Sequence, residues 1–110
     1  MDDLYISTYK YLLCRGFSPV HRGFKLIIKA VELICLNGNI PLKQIYSRLA
    51  QSSGVSATAV CKNIKNAIDY AALNCSMEDY EKYFGIFGDG TDITCGTFLY
   101  YTAEQIKYAV

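Results

Sequence analysis

The chain has 110 residues, 52% of them apolar, with ten tyrosines, no tryptophan and a net charge of +1. That length fits one domain with a core of its own, and that composition argues against intrinsic disorder. No apolar run reaches the roughly 20 residues of a membrane span, since the most apolar piece, LIIKAVELICL, is interrupted by Lys29 and Glu32. The opening MDDLYISTYK is acidic where a secretory leader is basic, so no membrane partner and a cytoplasmic location are expected.

Helical periodicity runs through almost the whole chain. From Asp2 or Asp3 to Cys14, apolar Leu4, Tyr5, Ile6, Tyr9, Leu12 and Leu13 recur at three and four. RGFSP then breaks the chain with Gly16 and Pro19. A second helix is expected from Val20 to Leu36, burying Phe24, Ile27, Ile28, Val31, Ile34 and Cys35, with Asn37-Gly38 as its stop. Its broad apolar arc makes it the central helix. Pro41 suits the first turn of a third helix, where a missing N–H costs nothing, and Leu42, Ile45, Tyr46, Leu49 and Ala50 continue it.

QSSGV is a tight turn in which Gly54 can take a positive φ. Ser56 is a good N-cap for a helix reaching Leu73 or Asn74. SMEDYEKYFG reads as a short helix capped by Ser76 and closed by Gly85, and IFGDGTDITCG as a loop with brief extended pieces. TFLYYTAEQIKYAV is the last helix, with Phe98, Leu99, Thr102 and Ile106 toward the core.

Five cysteines, at 14, 35, 61, 75 and 95, are odd in number and show no CxxC spacing. They read as reduced thiols, with Cys14, Cys35 and Cys75 near apolar helix faces. The single histidine, His21, has no cysteine or carboxylate at a ligand spacing, so no metal and no cofactor is expected. No convergent acid, base and nucleophile set is visible, which argues against an enzyme. Charge is unevenly spread. Residues 1–75 hold nine Lys and Arg against four Asp and Glu, while residues 76–110 hold two against six. A basic body with an acidic end is compatible with an anionic ligand on one side.

Two helices joined by a short Gly-containing turn give the outline of a helix-turn-helix across 42–74. On the second, Val60, Ile64, Ala67, Ile68 and Ala71 form an inward stripe; Thr58, Ala59, Lys62, Lys65, Asn66 and Asp69 face the other way. Lysine can contact phosphates or guanine edges, and asparagine can pair with adenine. The same residues also suit a plain solvated face, and the motif alone does not choose between them.

Taken whole, the chain resembles the C-terminal DNA-binding effector domain of the stage-zero sporulation protein A family, the sporulation response regulators. The resemblance rests on GFSPVHRGFKLI with its Arg22-Gly23-Phe24 triplet, and on IYSRLAQSSGVSATAVCKNIKNAIDYA. YFG at Tyr83 to Gly85 and the closing GTFLYYTAEQIK complete it.

The resemblance implies a single all-α domain of about six helices around a helix-turn-helix, binding promoter duplex DNA through the major groove. Its reading positions fall on Ser56, Thr58, Ala59, Cys61, Lys62, Lys65 and Asn66. Ala59 stands where the family has an arginine and Cys61 where it has a glutamate. Lys62 and Lys65 replace arginines, and Asn66 replaces a histidine. Lysine keeps the charge but loses the bidentate fork. Lys43, Arg48 and Arg22 are candidates for backbone contacts. The RNA polymerase sigma subunit and a second copy on tandem sites are further expected partners. The family's phosphorylatable receiver domain is not in this sequence. The competing expectation is a protein-interaction module on the same fold, favoured by Ala59 and Cys61.

Overall fold

A computed structural model describes residues 3–87 and 93–109. The described residues form six α-helices: α1 Asp3–Cys14, α2 Arg22–Asn37, α3 Leu42–Ser53, α4 Ala57–Asn74, α5 Met77–Tyr83 and α6 Cys95–Ala109. A single 3₁₀ turn, Gly85–Phe87, follows α5, and no strand occurs among the described residues. The fold is all-α. Asp2, residues 88–92 within the expected loop, and Val110 lie outside the described residues.

Each helix end has a local cause. The C-terminus of α1 closes as a Schellman motif: Gly16 takes φ +88, the Phe17 N–H donates to the Leu12 carbonyl at 3.1 Å and Gly16 N–H to Leu13 at 3.2 Å. Leu12 and Phe17, brought together by that turn, are both buried. The second helix starts at Arg22, two residues later than its apolar pattern suggests, because His21 is the extended N-cap and Val20 is 84% exposed. Gly38 stops α2 with φ +79 and donates its N–H to Ile34. Pro41 is the N-cap of α3 and not a first-turn residue; its extended backbone and carbonyl open the helix, and its missing N–H is not needed in either place. In α5 the Ser76 hydroxyl accepts from Asp79 N–H at 3.1 Å.

The central helix is α2. It contacts α1, α3, α4 and α6, with its most extensive packing against α4. Phe24, Ile27, Ile28, Val31 and Ile34 are buried as expected, joined by Leu26 and Ala30, so a broad arc of α2 is covered and a stripe of Lys25, Lys29 and Leu36 is left in solvent. Cys35 is only partly buried. From α4 come Val60, Ile64, Ala67, Ile68 and Ala71, all buried. Each fully buried Ile or Phe on this seam contributes about 1.5–3 kcal/mol. Gly23 permits the closest approach: a Cβ built there would lie 2.1 Å from the Asn63 carbonyl oxygen and 2.9 Å from the Ala67 Cβ. The α2 and α4 backbones thus meet where a side chain has no room.

The flanks are less deeply packed. On α1 only Thr8 and Leu12 are buried, while Ile6 and Leu13 reach solvent. Helix α6 adds Phe98, Leu99, Thr102, Ala103 and Ile106, and Phe98 stacks at tilted angles with Phe17 and Phe87. The α6 helix begins at Cys95, two residues before its apolar pattern, because the Thr94 hydroxyl accepts from Thr97 N–H at 3.3 Å.

Candidate nucleic-acid interface

The turn between α3 and α4 is built by two residues. Gly54 adopts φ 76 and ψ 13, the left-handed region, and its N–H closes α3 on the Ala50 carbonyl at 3.0 Å. Two residues later Ser56 turns extended, and its hydroxyl accepts from the Ala59 N–H at 3.1 Å. One of the unpaired donors of the α4 first turn is thereby satisfied. The buried stripe then fixes which face of α4 points outward.

The seven expected reading residues lie in three different environments along and before α4, with Ser56 at its N-cap and Cys61 on a flank packed against the core. Thr58, Lys62 and Asn66 are exposed and spaced four apart, so they form one line along the helix. Lys62 makes no ion pair or hydrogen bond among the described residues. Ser56 is exposed at the helix start, with its oxygen engaged in the cap. Ala59, Cys61 and Lys65 are half-buried.

Lys65 is engaged within the chain. Its Nζ donates to the Ile93 carbonyl at 2.8 Å and pairs with Asp69 Oδ1 at 3.0 Å. The side chain thus bridges one turn of α4 to the segment that leads into α6. Its charge is partly neutralised before any ligand arrives.

A groove of about 490 Å³ runs along this face, lined by Tyr46, Ala57, Thr58, Cys61, Lys62, Lys65 and Asn66. Five of the seven expected residues line it; Ser56 and Ala59 do not. The chain matches no protein-family model and no curated protein. The groove lining is mostly apolar, with half-buried Tyr46 and Cys61 beside exposed Ala57, Lys62 and Asn66. The Tyr46 hydroxyl is buried and no hydrogen bond of ordinary geometry reaches it. Burial, and then the neighbouring Cys61 and Cys95 thiols, push its pKa far above the usual phenol value.

Sequence reasoning missed Tyr46 as a lining residue, Ile93 as the Lys65 acceptor and Cys95 as the buried thiol of the site. Of the cysteines placed near apolar faces, Cys14 is exposed and Cys35 and Cys75 are half-buried; Cys95 is the buried one. The proposed backbone contacts Arg22, Lys43 and Arg48 are all exposed. Among the described residues no helix is long and apolar enough to cross a membrane, and no group of three or more His, Cys, Asp and Glu is arranged to hold a metal.

Proposed function

We propose that this chain is the DNA-binding domain of a transcription regulator, similar to the sporulation-regulator effector domain, with α3 and α4 acting as a helix-turn-helix. The observation that carries this reading is the exposed line of Thr58, Lys62 and Asn66 on α4, opposite a fully buried stripe. The N-terminal half of such a helix is the part that enters the major groove. There Lys62 supplies the cation and Thr58 a hydroxyl and a methyl, while Asn66, one turn on at mid-helix, offers a donor–acceptor pair suited to adenine. The first turn of α4, opened by Ser56, offers N–H groups to a phosphate.

Lys65 has a different role from Lys62 in this account. It holds α4 to the start of α6 and orients the reading face, so a single lysine carries most of the contact charge. Ala59, where the resembling family has arginine, leaves out a bidentate guanine contact worth about 1–3 kcal/mol of discrimination. The domain therefore binds duplex DNA with looser sequence preference than the family it resembles. Promoter sites are the expected targets, with a second copy on tandem sites and the polymerase sigma subunit as partners.

The second reading is a protein-interaction module, favoured by the mostly apolar lining of the same groove, to which Tyr46, Ala57 and Cys61 belong. Selection of bound duplexes from a random pool separates the two. A DNA-binding domain enriches a short motif over successive rounds; an interaction module enriches none.

A further inference from the structure

Two of the five thiols meet at one place. Cys61 lines the groove on α4, and Cys95 is the first residue of α6, buried at 8% exposure. The Cys95 Sγ lies 3.9 Å from the Cys61 carbonyl oxygen, across 34 residues of sequence. Both thiols neighbour the Tyr46 hydroxyl, and the Cys61 thiol is among the groups that act on Cys95. That hydroxyl is buried without an ordinary hydrogen-bond partner, so its proton is available to a sulfur that becomes anionic. The remaining cysteines are set apart: Cys35 Sγ donates to the Ala103 carbonyl and Cys75 Sγ to that of Ala72. Cys14 is exposed at the end of α1.

We propose that Cys61 and Cys95 form a peroxide-oxidisable pair that closes to an intramolecular disulfide beneath the outward face of α4. Groove access divides the labour. The Cys61 thiolate attacks one oxygen of hydrogen peroxide, the O–O bond breaks, and a sulfenic acid forms with release of water after protonation. The Cys95 thiolate then attacks that sulfur; the S–S bond forms, the S–OH bond breaks and a second water leaves. Two thiols lose two electrons in total, and one peroxide is reduced to two waters.

Burial raises the Cys95 thiol above its ordinary value, which suits the resolving partner rather than the first attacker. The Tyr46 hydroxyl is placed to donate to the Cys95 thiolate and lowers the cost of forming it. The product ties α4 covalently to the start of α6, the same connection that Lys65 already makes through Ile93. Formation of this pair does not depend on the DNA-binding reading.

The test uses the full chain, reduced, desalted and exposed to hydrogen peroxide, then unfolded and alkylated for mass spectrometry. Before exposure all five cysteines take label. Afterwards two labels are lost, a Cys61–Cys95 linked peptide appears in monomeric protein, and dithiothreitol restores all five. Cys61→Ser keeps Cys95 labelled after the same exposure, Cys14→Ser leaves the linked peptide unchanged, and Tyr46→Phe slows its formation. The proposal is overturned if Cys61 and Cys95 both remain labelled, or if Cys61 runs on to sulfinic acid with no linked peptide. Label loss found only in dimers joined through Cys14 overturns it equally.

Discussion

Replacing Gly23 by alanine probes the contact that holds α4 in place. Alanine in a helix is favoured over glycine by up to about 1 kcal/mol, so propensity alone gives a more stable protein. The surroundings oppose it. The added Cβ lies 2.1 Å from the Asn63 carbonyl oxygen and 2.7 Å from its carbon, whereas ordinary contact begins at 3.4 Å. The two helices must separate by about 1.3 Å to relieve the clash. Both obstructing atoms are backbone, so no rotamer change relieves them. Overpacking of a well-filled core costs about 1–3 kcal/mol, and a backbone clash belongs at the upper end. The net expectation is a loss of about 2 kcal/mol, or roughly 8–10 °C in melting temperature for a domain of this size. Thermal and urea unfolding followed by circular dichroism measure it. Gly96→Ala is the control, because there the nearest obstacle is the movable Leu42 Cδ2 at 3.2 Å, and its melting temperature should move little. A Gly23→Ala protein as stable as the parent would refute the close approach of α2 and α4.

Ser56→Ala removes the α4 cap and should cost about 1 kcal/mol, while Ser56→Asp keeps it; urea midpoints showing no difference between the two would contradict the capping role. Lys65→Ala should cost about 1 kcal/mol of stability through loss of the Ile93 and Asp69 contacts, and should reduce duplex affinity less than Lys62→Ala does. The reverse order in affinity, with stability unchanged, would make Lys65 a direct DNA contact. Alkaline pH should destabilise the domain, because Tyr11, Cys35, Tyr46, Cys75 and Cys95 all have pKa values raised mainly by burial. The folded state holds those protons more tightly than the unfolded chain. The stabilisation is therefore complete below the ordinary thiol and phenol values of 9.0 and 10.0 and falls as pH rises through and beyond them. Urea midpoints at pH values either side of 9 measure it; a midpoint that holds or rises would contradict the burial of these groups, and Tyr46→Phe should flatten the fall.

The parts of the molecule visible in the sequence were those set by near neighbours in the chain. The Ser56 cap, the Gly54 turn and the Val60, Ile64, Ala67, Ile68 and Ala71 stripe all depend on residues within a few turns of each other. Helix starts were less legible. Val20 is apolar and suggests a helix that begins two residues early, but His21 turns extended and leaves Val20 in solvent. On the last helix the competing signal was Thr94, whose hydroxyl opens the helix before the apolar pattern begins.

The contents of the candidate site divided in the same way. Thr58, Lys62 and Asn66 follow from the helical period once the buried stripe is known. The engagement of Lys65 does not, because its acceptor is a carbonyl 28 residues away with no side-chain signature. The Cys61–Cys95 meeting is equally non-local. Gly23 belongs to the triplet that supports the family resemblance, yet its steric role appears only when the Asn63 carbonyl is placed against it.

The most direct test of the central reading is a titration of labelled duplex, carrying the motif obtained by selection, with the parent and Lys62→Ala at several salt concentrations, beside a scrambled duplex. The expected result is preference for the selected duplex, affinity that falls with salt, and a log–log salt slope smaller by about one in Lys62→Ala if that lysine meets a phosphate. If it meets a base edge instead, the preference over the scrambled duplex falls. Equal binding of selected and scrambled duplexes by the parent, with Lys62→Ala indistinguishable from it at every salt, would contradict DNA reading by this face.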